Sequence, residues 1–215
     1  MHRKRLAPAC LQGCSSPHLT IPNATHAGPQ ARTVAHTFRR PLGRAVAAAL
    51  VVAAAITCGA VYRPAPAAAA TIRATNTEKQ VLALVNHVRA THGMARLNIV
   101  PSLERASRAH SREMLGRQYF SHASYSGASF SSRLIRSGYT TAGYSNWTAG
   151  ENIAYGWHSS GSPKAIVAAW MRSAPHRAVI LTRRFRNAGV GRASGTFKGT
   201  AGVVFFTLDC GARSR

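Results

Sequence analysis

Apolar residues recur with helical spacing through the middle of the chain. After Thr75-Asn-Thr-Glu78, a capping box, Val81, Leu84, Val85 and Val88 stand at i, i+3, i+4 and i+7, with Gly93 as a stop. A second helix is predicted from Pro101-Ser102 to near Gly116, with Leu103, Ala106, His110 and Met114 on one stripe. Phe130 to Ser137 is a short amphipathic helix ended by Gly138, followed by a Tyr/Thr/Gly/Ser/Asn loop to Gly150. Ser162-Pro163 opens another helix, with Ser as cap and Pro at the first helical position; Ile166, Val167 and Trp170 share a face, and His176 to Leu181 packs after it. The period then changes. Ala188 to Ala193 and Gly202 to Leu208 are β-branched and aromatic runs joined by a Gly/Thr/Lys turn, the pattern of an antiparallel hairpin. Helices first and strands last predict an α+β domain with helices on an antiparallel sheet. No internal repeat is present.

The first 44 residues carry no apolar period and read as a disordered basic segment, in which Cys10 and Cys14 have no metal-site spacing. Residues 45–70 read as a signal: an uncharged run to Tyr62 follows Arg39-Arg40 and Arg44, and Ala68 and Ala70 form an Ala-x-Ala cleavage site. An uncleaved membrane helix is the rival reading. Both place 71–215, the predicted domain, outside the membrane, secreted or tethered. The signal begins late, and translation from a GUG codon at Val34 would leave residues 1–33 untranslated. The residues around Arg39-Arg40 match a twin-arginine signal poorly, which points to general secretion. Of four cysteines only Cys210 lies beyond residue 70, so no internal bridge forms there; Cys210 either links two copies or is buried.

Charge narrows the partners. Lys and Arg total 28 against 5 acids, for a net charge of +23, and residues 71–215 hold 20 of those bases and every acid. Such a surface attracts anionic lipid, wall polymer or nucleic acid, and equally serves solubility. The scarcity of acids excludes a calcium cage or a two-metal phosphodiester site. A Ser-His-Asp triad would have to use Asp209, with no Gly-x-Ser-x-Gly elbow to supply the serine.

Three short stretches concentrate the remaining chemistry. Gly150-Glu151-Asn152-Ile153-Ala154-Tyr155 reads as a turn ahead of a helical segment, Tyr119-Phe-Ser-His122 lies upstream, and Ser173-Ala-Pro-His176-Arg177 downstream. His122, Glu151 and His176 are the candidate catalytic residues. Two imidazoles and a carboxylate match an open zinc site whose fourth ligand is water, although the usual His-Glu-x-x-His spacing is absent. Two other readings stay open: Glu151 bridges the imidazoles by hydrogen bonds, or it anchors a loop by accepting backbone N–H groups. His110, on an apolar stripe, reads as a satisfied core histidine.

Taken in order, Asn86-x-x-Arg89, His110, Phe120-Ser-His122, Gly150-Glu-Asn-Ile-Ala154, Trp170, Ser173-x-Pro-His-Arg177 and Gly189-Val-Gly191 resemble one family. It is the superfamily of cysteine-rich secretory, antigen 5 and pathogenesis-related 1 proteins, in its short bacterial form, and the resemblance covers roughly residues 76–210. It implies a three-layer α-β-α sandwich with a central antiparallel sheet and a cleft lined by two His and two Glu. His122, Glu151 and His176 match three of these; Ser173 stands where the larger members have the second Glu. The disulfides of eukaryotic members are missing. Three functions follow: an extracellular binding module whose cleft engages an envelope component, lipid or wall polymer; a zinc-dependent hydrolase of peptide bonds; and a polyanion binder acting by charge alone. Export and the lack of a base-reading motif disfavour nucleic acid. Specificity is expected in the segment 123–150.

Overall fold

The structure is a computed structural model describing residues 10–11, 19–22, 74–139 and 142–215. These fall in one compact unit, Met1–Ala24 with Thr71–Arg215. The signal region 45–70, its cleavage point and a start at Val34 lie outside the described residues.

The helices form where the apolar spacing places them. Helix α1 spans Asn76–Thr91 and is closed by the Thr75/Glu78 capping box, both halves of which are made. Helix α2 spans Pro101–Gly116, α3 Phe130–Arg136 behind its Ser129 cap, α4 Pro163–Arg172 behind Ser162, and α5 Ala174–Ile180. The strands are longer than the apolar runs that announce them. Strand β5 covers Asn187–Phe197 and β6 Thr200–Ser214, paired antiparallel from Asn187↔Gly211 to Phe197↔Thr200 with one irregularity between Gly195 and Phe197.

Gly150-Glu151-Asn152 is not a turn before a helix. It lies inside β4, Asn146–Gly156, whose partner along its whole length is β6. The expected loop to Gly150 therefore ends at Asn146. Both faces of β4 are buried, so the alternation of apolar and polar residues that marks a half-exposed strand is lost.

Short β3, Asn98–Ile99, runs parallel to β5 at one edge. At the other edge β4 receives β1, Cys10–Leu11, and β2, Leu19–Pro22, both antiparallel. These strands belong to the 1–44 segment read as disordered, the rest of which lies outside the described residues. Leu19-Thr-Ile21 is a β-prone run, and β4 offers a row of backbone groups to pair with.

Side-chain alternation divides the core into two layers, giving a three-layer sandwich around a mainly antiparallel sheet. Ala154, Leu208, Phe206, Val190 and Cys210 meet α1, α4 and α5 through Val81, Val85, Ile166, Trp170 and Ile180. On the opposite face Trp147, Ala149, Ile153 and Phe205 meet α2 and α3 through Leu103, Ala106, Met114 and Leu134. Helix α2 lies so close to β5 that a Cβ at Gly189 or Gly191 would overlap the backbone of Leu103–Glu104 or Ser107–Arg108. Only glycine admits that approach.

Cys210 is fully buried, and burial pushes its thiol up to about 12, so the buried reading holds over the dimer-linking one. Arg89, fully buried, crosses the core instead of a disulfide. Its guanidinium donates to the carbonyls of Ala95, Ile180, Thr182 and Phe185 at 2.6–3.2 Å, tying α1 to the α5–β5 connection.

Candidate functional site

Position 151 points its side chain to the α2–α3 face of the sheet, where Glu151 is 2% exposed. Two donors meet it there. The Arg133 guanidinium from α3 forms a short ion pair with Oε2, and His122 Nδ1 donates to Oε1 at 2.8 Å. Arg133 also reaches the His122 carbonyl and Ser124 Oγ, so one residue fixes both the carboxylate and the loop that carries His122. Burial opposes the charge of Glu151, but Arg133 and then His122 outweigh it and hold the carboxyl down at about 2. Glu151 is thus an anion at any physiological pH. The His122 side chain, 24% exposed, is where this network meets solvent.

Beside it lies a second carboxylate that the sequence did not point to. Asp209 is the cross-strand partner of Glu151 and is completely buried. Ser107 Oγ donates to its Oδ2 at 2.7 Å and also contacts the Gly189 carbonyl, while Oδ1 has no donor. Burial first, and then the adjacent Glu151 charge, raise the Asp209 carboxyl well above its usual range. Both causes favour the protonated form of Asp209, so the two acids stand as a carboxyl beside a carboxylate.

This arrangement has a testable sign. A carboxyl raised in the folded state contributes stability that is full below the unfolded value near 3.9 and is lost as pH rises toward the folded value. Asp209→Asn supplies a fixed donor in place of the proton, so we expect it to flatten the fall in stability between pH 5 and 7.5 and to gain about 1 kcal/mol at the upper end. Urea midpoints at the two pH values measure this; a variant that keeps the wild-type slope would remove the proton from Asp209.

His110 is fully buried on α2, and Nε2 donates to the Ser121 carbonyl at 2.9 Å, but Nδ1 has no hydrogen-bond partner and stands 3.5 Å from Glu113 Oε2, so this core histidine is satisfied at one nitrogen only. Burial holds it toward the neutral form, against the pull of the nearby Glu151 charge. His176 is also buried, with Nδ1 at 2.7 Å from Ser173 Oγ, and its carbonyl accepts from Asn152 Nδ2. Asn152 faces the side of β4 opposite Glu151, so it ties α5 to the strand. The structure brings His122 and Glu151 together. It does not join His176 to them as a metal set: among the described residues no three His, Cys, Asp or Glu are grouped to hold an ion. The donor chemistry agrees, because both Glu151 oxygens are already committed to Arg133 and His122. The expected zinc set His122, His176 and Glu151 does not fit.

Two participants were missed in the sequence. Arg133 stands three residues after Phe130, on the inner side of a short amphipathic helix, a position that an unpaired guanidinium rarely takes. Asp209 is the lone acid in an apolar strand of a chain with only five acids.

Residues 82–210, which hold β4, the Glu151 site and the close approach of α2 to β5, match a model of the cysteine-rich secretory protein family. The chain belongs to this family. Among curated relatives, the uncharacterized protein YkwD of Bacillus subtilis is 39% identical over 115 residues, 53% of this chain and 41% of YkwD. The uncharacterized membrane protein YlbC of the same organism is 35% identical over 118 residues, 54% of this chain and 32% of YlbC. The chain thus spans less than half the length of either. The crystal structure of an extracellular SCP-domain protein from Bacillus anthracis is 26% identical with a TM-score of 0.51, covering 65% of this chain and 40% of that one. An outer surface protein of Borrelia burgdorferi shares the fold at 18% identity and a TM-score of 0.54, covering 66% and 97% of the two chains.

Proposed function

We propose that this family member is an exported binding module whose His122 face engages a component of the cell envelope, lipid or wall. The observation that carries the reading is the state of Glu151: a buried carboxylate with each oxygen engaged by Arg133 or His122 supports a preorganised surface more than a ligand or base held in reserve. The segment that carries His122 also presents groups suited to contact. Tyr125, 64% exposed, is braced by Tyr119 and by the Arg117 guanidinium, and Glu113 accepts from the Tyr119 hydroxyl and the Tyr125 backbone N–H. Extracellular placement rests on the sequence of residues 45–70 and on the SCP-domain protein of Bacillus anthracis, described as extracellular. Among the described residues no helix is long and apolar enough to cross a membrane.

One feature favours a second reading. His122 Nδ1 donating to Glu151 leaves the other nitrogen of the neutral ring an acceptor, the orientation of a histidine general base. That hydrolase would be metal-free and would require a nucleophile or water beside His122.

Co-sedimentation of the full chain with purified envelope fragments separates the two. We expect His122→Ala and Tyr125→Ala each to reduce the bound fraction several-fold, with no soluble fragments released. Retention unchanged in both variants would sink the binding reading, and fragment release abolished by His122→Ala would replace it with the hydrolase.

A further inference from the structure

All five acids of this chain are drawn into the fold. Glu78, Glu104, Glu151 and Asp209 are at most 2% exposed, Glu78 and Glu104 share Arg108, and Glu113 is engaged by Tyr119 and Tyr125. The surface is left with cations and almost no carboxylates to neutralise them. Three of these cations lie together where β4 starts and β6 ends, beside the α5–β5 connection. A groove of about 560 Å³ there is lined by Arg184, Arg186 and Arg213 together with Tyr144, Trp147 and Thr148, and no acid lines it.

Three details mark it as a built site. The Arg213 guanidinium is layered against the Tyr139 and Tyr144 rings, 4.6 and 4.5 Å from their centroids, which fixes its plane. Arg186 is held by the carbonyls of Arg183 and Phe185 through a single nitrogen, so the rest of its fork remains for a ligand. Thr148, 95% buried, is one of the lining residues, and its hydroxyl is buried beneath the groove with no hydrogen-bond partner. A buried hydroxyl left without a partner costs stability unless something fills the role. Thr148 projects from β4 on the face opposite Glu151, and none of the residues lining the groove belongs to the Glu151–His122 network.

We propose that this groove binds a phosphate group carried on a polyol or sugar. Three guanidiniums stand in a lining that holds no Asp or Glu, more charge than one carboxylate neutralises, and guanidinium forks match phosphate oxygens. The aromatic rings and the Thr148 hydroxyl suit the polyol that carries the phosphate. The groove thereby adds a second contact to the module, independent of the one proposed at His122.

Calorimetric titration of the full chain with inorganic phosphate, and separately with poly(glycerol phosphate), tests this. We expect saturable binding weakened about tenfold by Arg184→Gln/Arg213→Gln and several-fold by Thr148→Val. The latter removes a hydroxyl with no partner in the fold, so melting will be unchanged or raised. His122→Ala is expected to leave the affinity as it is. A control, Arg96→Gln/Arg112→Gln, removes the same charge from exposed positions elsewhere. Binding of inorganic phosphate assigns the groove to the phosphate itself; binding of the polymer alone assigns it to the polyol-borne group. Affinity unchanged in Thr148→Val and in the double variant, or lowered equally by the control, overturns the proposal in favour of a diffuse charge effect.

Discussion

Arg89→Leu is expected to destabilise the domain by about 3–5 kcal/mol, the range for unpairing buried polar groups that share one cation. In a domain of this size that lowers the melting temperature by about 10 °C. Leucine fills much of the volume but donates nothing, and the carbonyls of Ala95, Ile180, Thr182 and Phe185 lose their donor in a dry interior. Arg89→Lys recovers only part of the loss, because a single ammonium cannot span four carbonyls set around a planar fork. Thermal melts of the three proteins read this directly. A leucine variant melting within about 2 °C of the wild type would show that the four contacts contribute little.

Arg133→Leu has a comparable effect by a different route. It leaves Glu151 buried beside Asp209 with His122 as its remaining donor, and a buried charge deprived of its partner costs about 3–5 kcal/mol. The pH dependence identifies the cause. In the wild type the Glu151 carboxyl, held at about 2, contributes stability that is full above its unfolded value near 4.5 and is lost as pH falls through about 2. Without Arg133 the folded value rises, so the variant is expected to gain stability on going from pH 7 to pH 5. Arg133→Leu/Glu151→Gln should recover most of the loss at pH 7, since it removes the orphaned charge along with its partner. Urea unfolding at both pH values decides it: a double variant no more stable than Arg133→Leu alone would mean that the arginine acts through packing.

The helices were legible because each carries its own instructions. The Thr75/Glu78 box, the Ser162-Pro163 start and the i, i+3, i+4 apolar spacing are local signals, and α1, α2, α3 and α4 form where they lie. Strand β4 was not legible. With helices above and below, it carries Thr148, Glu151 and Asn152 inward among small residues, so neither a period of two nor a continuous apolar run survives in Asn146–Gly156. The same burial hid the site. His122 and Glu151 were readable as residue types in family-like motifs. Their true companions, Arg133 and Asp209, are 11 and 58 residues away in sequence from the nearer of the two, and meet them only through sheet register and the packing of α3. His176 illustrates the converse: a matching motif fixed its type, while Ser173 and Asn152 decide its contacts.

Arg89 carries one more consequence. Between residues 74 and 215 nothing that holds the fold together is an oxidation product: the crossing of the core is a guanidinium, charged in every compartment, and the Cys210 thiol is sealed and pushed up to about 12. That part of the native state is therefore redox-neutral. A reducing cytoplasm and an oxidising exterior specify the same packing for residues 74–215, and refolding of that part requires neither an oxidant nor a disulfide isomerase.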